Sequence, residues 1–144
     1  MGATKYGVRD EIKDTTETFY RAVTNKNLRA IDGIWAHTPY AAVAGRSSHL
    51  RQGWPEVRIY WEERFRDLGD IKVVAKLHRP LVHAVGDVAW LSGTEIRTIS
   101  DGGEVRREEL RMTAVLQRTG DQWQIVSYHA SEPARRGEAA LLAS

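Results

Sequence analysis

Two side chains that can exchange protons, Glu95 and His129, lie in segments where apolar and polar residues alternate. This period of two is typical of a strand, and it places Glu95 on one face with Ala89 and Leu91. His129 likewise shares a face with Ile125. Because apolar neighbours indicate a buried face, we expect both side chains to reach one interior pocket. A carboxylate and an imidazole there could act as proton donor and acceptor, so both are predicted to be catalytic.

The same residues allow a purely structural interpretation. Glu95 could pair with Arg97 or Arg111, which would satisfy a buried negative charge. His129 could form a hydrogen bond to the backbone. The sequence leaves both interpretations open.

Aromatic side chains supply candidates for a substrate-binding wall, because Tyr20 and Tyr40 each carry a polar tip beside apolar neighbours. The other residues predicted to bind substrate are Trp54, Arg111, Thr113 and Ser127. Such a wall suits a large, flat, apolar ligand. Trp35 and Trp61 follow helical stripes and are expected in the core, whereas Trp90 has the strand parity of an outer sheet face.

The sequence contains no Cys and no HExxH motif, and its histidines lack the spacing of a metal-binding motif. It also contains no phosphate-binding loop, dinucleotide fingerprint or GxSxG motif. We therefore expect neither a metal nor a nucleotide cofactor. A formal net charge of +2 makes nucleic acid a poor partner. No apolar stretch approaches the ~20 residues that cross a bilayer, so a cytoplasmic protein is expected.

The first half of the chain is predicted to hold the helices that position these residues. Apolar residues recur every three or four positions over residues 8–24, and again in a shorter helix from Leu28. A short strand over residues 40–44 follows. A third helical stripe begins near Pro55, which fits a first helical turn, and ends at Gly69.

From residue 71 onward the period changes to two, which predicts a sheet. The predicted strands cover residues 71–78, 81–85, 87–99, 104–118 and 122–130. Short turns separate them, so consecutive strands should pair antiparallel, with Pro80 at a kink or an edge. Helices followed by such a sheet predict one α+β domain over residues 1–131, with a loose tail over residues 132–144.

The order of these elements, with GDVAW at 86–90 and WQIVSYHAS at 123–131, resembles the SnoaL-like branch of the nuclear transport factor 2-like superfamily. The segment EELRMTAVLQRTGDQWQIVSYHAS is similar also to the association domain of calcium/calmodulin-dependent protein kinase II. The resemblance implies a cone in which three N-terminal helices pack in a strongly curved, mainly antiparallel sheet. It further implies a deep pocket open at one end and an outer sheet face that commonly forms dimers.

The resemblance also bears on the chemistry. The acidic residues of the superfamily's steroid isomerases fall near Val43 and Thr113, and their helix-one tyrosine falls near Phe19. Since neither acidic position carries a carboxylate here, steroid isomerisation of that form is disfavoured. In the kinase association domain, a pocket arginine matches Glu95 and a histidine matches His129.

These observations predict a cofactor-independent small-molecule enzyme that resembles SnoaL-like polyketide cyclases, dehydratases or isomerases. Its substrate would be largely apolar and would lie between the helices and the sheet. The alternative is a non-catalytic module for ligand binding or oligomerisation. A cavity of about 300 Å³ or more lined by aromatic residues would favour the enzyme. We also expect a homodimer through the outer sheet face, because Trp90 would otherwise stay exposed there.

Overall fold

The computed structural model describes residues 7–134, in which three helices pack on a six-stranded sheet. The helices are α1 (Val8–Thr24), α2 (Leu28–Ile34) and α3 (Trp54–Leu68). The strands are β1 (Ala42–Ala44), β2 (Arg51–Gln52), β3 (Lys72–Val85), β4 (Val88–Asp101), β5 (Glu104–Thr119) and β6 (Gln122–Ser131). Most of the predicted tail lies outside the described residues. No helix in the described part of the chain is long and apolar enough to span a membrane.

Local sequence signals explain the helix boundaries. Helix α1 has the predicted bounds and buries its apolar stripe, which includes Ile12 and Phe19. Helix α2 begins after Asn27, whose side chain accepts a hydrogen bond from the Ala30 backbone N–H and so satisfies a free donor of the first turn. Helix α3 ends at Gly69, which adopts a φ of +53° that favours glycine.

The sheet is a curved, mixed and open one with the strand order β2-β1-β6-β5-β4-β3. Strands β3 to β6 form the predicted antiparallel meander. Strand β1 pairs parallel with β6, and the two-residue strand β2, which was not predicted, pairs with β1. The α+β class is confirmed, and this one parallel pair makes the sheet mainly rather than wholly antiparallel.

Strand β3 runs without a break where two strands were predicted, and it lies at the edge of the sheet. Its register with β4 shifts between His78 and Leu81, where Arg79 adopts a φ of +50° before Pro80. Proline cannot donate a ladder hydrogen bond, so an irregular edge strand is a position that tolerates it. The predicted kink at Pro80 is therefore confirmed as a bulge.

A second bulge in β6 decides which side chains point inward. Leu116 pairs with Ile125, but the preceding Val115 pairs with Ser127, so Val126 is an extra residue. Such an insertion reverses the alternation of side chains beyond it. Consequently Tyr128 faces the core.

Aromatic rings fill most of the space between the helices and the inner sheet face. Phe19 contacts Trp61 edge-on at a centroid distance of 5.5 Å and Tyr128 at 5.1 Å. Trp35 lies 6.4 Å from Trp61, and both are fully buried as predicted. This packing leaves open space only around the edges of the core.

Candidate functional site

Glu95 lies at the centre of a buried polar network, with only 1% of its surface exposed. Its Oε1 accepts hydrogen bonds from the hydroxyls of Tyr20, at 2.8 Å, and Tyr128. Its Oε2 accepts a hydrogen bond from Arg97 Nε at 2.6 Å. Both carboxylate oxygens are thus engaged by protein donors.

Three elements bring these side chains together. The alternation of β4 places Glu95 and Arg97 on the same inner face. Tyr20 belongs to the buried stripe of α1. Tyr128 reaches the network because the Val126 bulge turns it inward.

The pKa values of the two tyrosines and of Arg97 are all raised, so these groups keep their protons. Burial, followed by the nearby Tyr128 and Glu95, raises the pKa of Tyr20. Burial and then Glu95 raise the pKa of Tyr128 well above its ordinary value. Burial has the largest effect on the pKa of Arg97 and would lower it, but Glu95 and Tyr128 together outweigh burial and raise that pKa. Both tyrosines therefore act as neutral donors, and Arg97 stays cationic.

Little space remains beside this network. The enclosed void bordered by Glu95, Tyr20 and Tyr128 has a volume of about 10 Å³. That volume is about what one water molecule requires and far below what a substrate requires. In this structure Glu95 therefore holds Arg97 in position, and its carboxylate is not accessible to a substrate.

Arg97 also lines a larger opening, which we call the arginine cavity, with a volume of about 350 Å³. It lies between α3, the loop before β2 and the inner face of β3 to β5. Its charged wall consists of Arg46, Arg51, Arg64, Arg97, Arg106, Glu63, Asp67 and Glu108. The wall contains five arginines and three carboxylates, and Glu95 and Glu132 pair with two of these arginines from outside the wall. Its preference for an anion therefore depends on the arginines that form no ion pair with another described residue.

The ion pairs of the wall are unevenly distributed. Arg46 pairs with Glu108 and with Glu132, and Arg51 pairs with Glu63 at 2.7 Å. Arg64 and Arg106 form no ion pair with any residue in the range 7–134. Two guanidinium groups in the wall are thus available to a ligand.

Tyr60 adds a neutral hydroxyl to the arginine cavity. Burial raises its pKa, although Arg64 and Arg97 act in the opposite direction. A Cβ built on Gly45 would lie 2.0 Å from the Tyr60 hydroxyl oxygen. Glycine at that position is what gives the tyrosine tip its room.

A second opening, which we call the α1–β3 cavity, has a volume of about 600 Å³. Its wall is mostly apolar on the β3 side and includes Leu77, Pro80 and Val82. On the α1 side it includes Thr16 and Tyr20. Of the predicted substrate-binding residues, Tyr20 is the only one that lines a cavity in the described part of the chain.

The predicted site residues do not converge as expected. Glu95 is buried and meets Tyr20, and its partner is Arg97 rather than Arg111. Tyr40 is 61% exposed and donates a hydrogen bond to Gln117 Oε1 at 2.9 Å. Trp54 is half-buried and stacks on the His37 ring at a centroid distance of 4.1 Å.

The expectation that His129 reaches the interior is wrong. His129, Arg111 and Thr113 are exposed on the outer sheet face, and Ser127 is half-buried there. Ser127 and His129 lie beyond the Val126 bulge of β6. Their inward orientation was predicted by continuing the alternation from Ile125, and the bulge reverses that alternation. On β5 the side chains that point inward are instead those of Leu110, Met112 and Ala114.

The sequence analysis missed several residues that shape the arginine cavity and the network, namely Tyr60, Arg64, Arg106 and Tyr128. A one-residue shift in β6 would have identified Tyr128, but nothing in the alternating pattern marks a bulge. Tyr60 adjoins the predicted core residue Trp61 in α3, and this adjacency was its only signal. Among residues 7–134, no group of three or more His, Cys, Asp or Glu could hold a metal ion.

Comparison with known proteins places this geometry in a family. A SnoaL-like domain model matches residues 12–135. No curated protein matches the chain. Among solved structures, a candidate dehydratase of the nuclear transport factor 2-like family from Streptomyces avermitilis has a TM-score of 0.79 at 18% identity, covering 88% of this chain and 96% of its own.

Two further structures have the same fold. A candidate calcium/calmodulin-dependent protein kinase type II association domain from Thiobacillus denitrificans has a TM-score of 0.73 at 23% identity, covering 85% of this chain and 94% of its own. A nuclear transport factor 2-like superfamily protein from Salmonella enterica has a TM-score of 0.76 at 20% identity, covering 90% and 94%. The chain has the nuclear transport factor 2-like fold and belongs to the SnoaL-like family.

Proposed function

We propose that this protein is a small-molecule enzyme of the SnoaL-like family that binds a carboxylate-bearing substrate in the arginine cavity. The observation that carries the proposal is Arg97, a buried cation fixed by Glu95 at the wall of a cavity that also contains Arg64 and Arg106. A guanidinium held in one orientation suits recognition of a planar anion.

The charges of the wall support an anionic substrate over the largely apolar one expected from the sequence. Arg64 and Arg106 lack an ion pair among the described residues, so a carboxylate would gain charged donors without displacing an internal partner. Tyr60 can add a neutral hydrogen bond. The volume of about 350 Å³ suits a small molecule.

The class of reaction that we favour is elimination or isomerisation next to the bound carboxylate. Removing a proton from the carbon next to the carboxylate builds negative charge, which Arg97 and Tyr60 are placed to stabilise. The base then returns this proton, to a neighbouring carbon in an isomerisation or to a hydroxyl on that carbon in an elimination, where the hydroxyl leaves as water as the double bond forms. Glu108 is a largely buried carboxylate in the same wall and is our candidate for the base. The similar Streptomyces protein is described as a candidate dehydratase, which is the same class of chemistry.

A second candidate function, a non-catalytic binding module, is favoured by one observation. Glu95 is fully engaged and His129 lies on the other face of the sheet, so the buried acid and base pair expected of the enzyme is not assembled. A ligand could then bind at the arginine cavity without being converted.

Binding is tested by thermal unfolding with a panel of small hydroxy and keto carboxylates, each matched by its primary amide. We expect carboxylates to raise Tm and the amides to have no effect, because a ligand stabilises only the state that it binds. Arg64→Ala and Arg106→Ala should each weaken binding about 10-fold or more, as loss of a charged hydrogen bond does. Arg107→Ala, next to Arg106 but outside the cavity wall, is the matched control. Equal binding of the amides, or equal loss in the control, would refute the proposal.

Catalysis is tested separately with Glu108→Gln on any carboxylate that binds. The enzyme predicts retained binding with a loss of turnover of about 10²-fold or more. Absence of turnover of every binder by the unaltered protein would support the binding module instead.

A further inference from the structure

The α1–β3 cavity shares no lining residue with the arginine cavity, and it differs from it in chemistry. Apolar side chains of β3 and β4 form one wall, and α1 forms the other. With a volume of about 600 Å³, it is the roomier of the two. It requires an explanation of its own.

The floor of this cavity depends on Gly93 and on the bulge of β3. A Cβ on Gly93 would lie 2.9 Å from Leu77 Cδ1 and 3.3 Å from the Pro80 Cα. Both of those residues line the cavity. Glycine therefore lets the bulged strand lie against β4, and a side chain there would push Leu77 toward the open space.

The rim carries a positive balance. Lys13 and Arg21 project from α1 at this rim, against the single carboxylate of Glu17. None of these three forms an ion pair with another residue in the range 7–134. An apolar interior below a cationic rim is complementary to a ligand with an apolar body and one anionic end.

From this arrangement we infer that the α1–β3 cavity is a second ligand site, which takes an amphiphilic molecule with a flat or chain-like apolar body and one anionic head group. The body lies between α1 and β3, against Leu77 and Val82. The head group lies at the rim near Lys13 and Arg21. Burying the body removes apolar surface from water at both walls, and this supplies most of the affinity.

The probe for this site is 1-anilinonaphthalene-8-sulfonate, which has a flat apolar body and one sulfonate and fluoresces when its rings leave water. We expect saturable binding at one molecule per chain, displaced by decanoate and not by acetate. The double variant Lys13→Glu and Arg21→Glu should weaken binding about 10-fold or more, because attraction at the rim becomes repulsion. Both residues are exposed, so the fold should tolerate the change.

Three controls decide the result. Lys72→Glu introduces the same charge change at an exposed position of β3 outside the cavity and should leave affinity within twofold. Leu77→Trp, from a half-buried position on the inner face of β3, should abolish binding by filling the space. Arg64→Ala should leave probe binding unchanged, which separates this site from the proposed enzyme site.

The inference is overturned if the probe does not bind, or if Lys72→Glu weakens binding as much as the rim variants do. It is equally overturned if Arg64→Ala removes probe binding, since the probe would then occupy the arginine cavity.

Discussion

Glu95 and Arg97 form the only ion pair within the described residues in which both side chains are buried. Taking both charges out of water is costly, and the two tyrosine donors compensate part of that cost at the carboxylate. Such a pair contributes more to the position of Arg97 than to net stability. Glu95 is accordingly a positioning residue in our proposal, and a direct catalytic role for it stays a prediction from the sequence.

Glu95→Gln should destabilise the fold by about 3–5 kcal/mol, because it leaves the buried Arg97 charge without its partner. Urea unfolding measures the change. The exposed Glu104→Gln serves as control and should stay within about 0.5 kcal/mol of the unaltered protein. A loss below about 1 kcal/mol for Glu95→Gln would show that Arg97 is not held as described.

The raised pKa values of Tyr20 and Tyr128 predict alkaline instability. Above pH about 10, tyrosines in the unfolded chain lose their protons while these two keep theirs, so the folded state binds more protons. Stability should therefore fall with rising pH, by about 1.4 kcal/mol per pH unit for each group. Tyr20→Phe should remove the contribution of one tyrosine to the slope of unfolding free energy against pH. An unchanged slope would contradict the raised pKa of Tyr20.

Gly45→Ala should destabilise the protein by about 1–3 kcal/mol, because its Cβ would overlap the Tyr60 hydroxyl. Gly33→Ala is the matched control, since a Cβ there meets nothing within 4 Å. In a helix that substitution should be neutral or stabilising. Thermal unfolding of the two variants compares them directly, and equal effects would show that Tyr60 moves without cost.

Among the helices and strands, those with a regular repeat of apolar residues were the ones predicted correctly from the sequence. Helix α1 was predicted with its observed bounds because its stripe is regular and long. The inner parity of β4 was also predicted, so Glu95 was placed correctly. The site was predicted poorly because β6 contains a bulge, which no local residue type indicates. The bulge turns Tyr128 toward the core, where His129 was predicted to lie. The parallel pairing of β1 with β6 is a long-range contact that local spacing does not encode.

Helix α2 offers a test of one such local signal. Asn27→Ala should cost about 1 kcal/mol, because it removes the cap on the Ala30 N–H. Asn25→Ala, at the C-terminal end of α1, removes no side-chain cap and is the control. Urea unfolding should separate the two, and equal losses would argue against a specific role for the cap.

At the scale of the whole molecule, the outer sheet face carries exposed apolar residues near the β3–β4 turn. Trp90 is 44% exposed, and Leu81, Val85 and Val88 on the same hairpin are more exposed still. A homodimer through this face is our proposal, since such residues are enriched at interfaces. Light scattering should give twice the monomer mass, and Trp90→Lys should shift the protein to monomer. Val105→Lys, exposed at the other hairpin, is the control. A monomer mass for the unaltered protein would contradict the proposal.

The arginine cavity is the centre of the functional proposal, and a crystal structure with the carboxylate that most raises Tm tests it most directly. We expect the carboxylate within about 3 Å of the Arg97 and Arg64 guanidinium groups, as charged hydrogen bonds require. Glu95 should keep its contact with Arg97 in that complex. Density for the ligand in the α1–β3 cavity or on the outer sheet face, with the arginine cavity holding only water, would contradict the proposal.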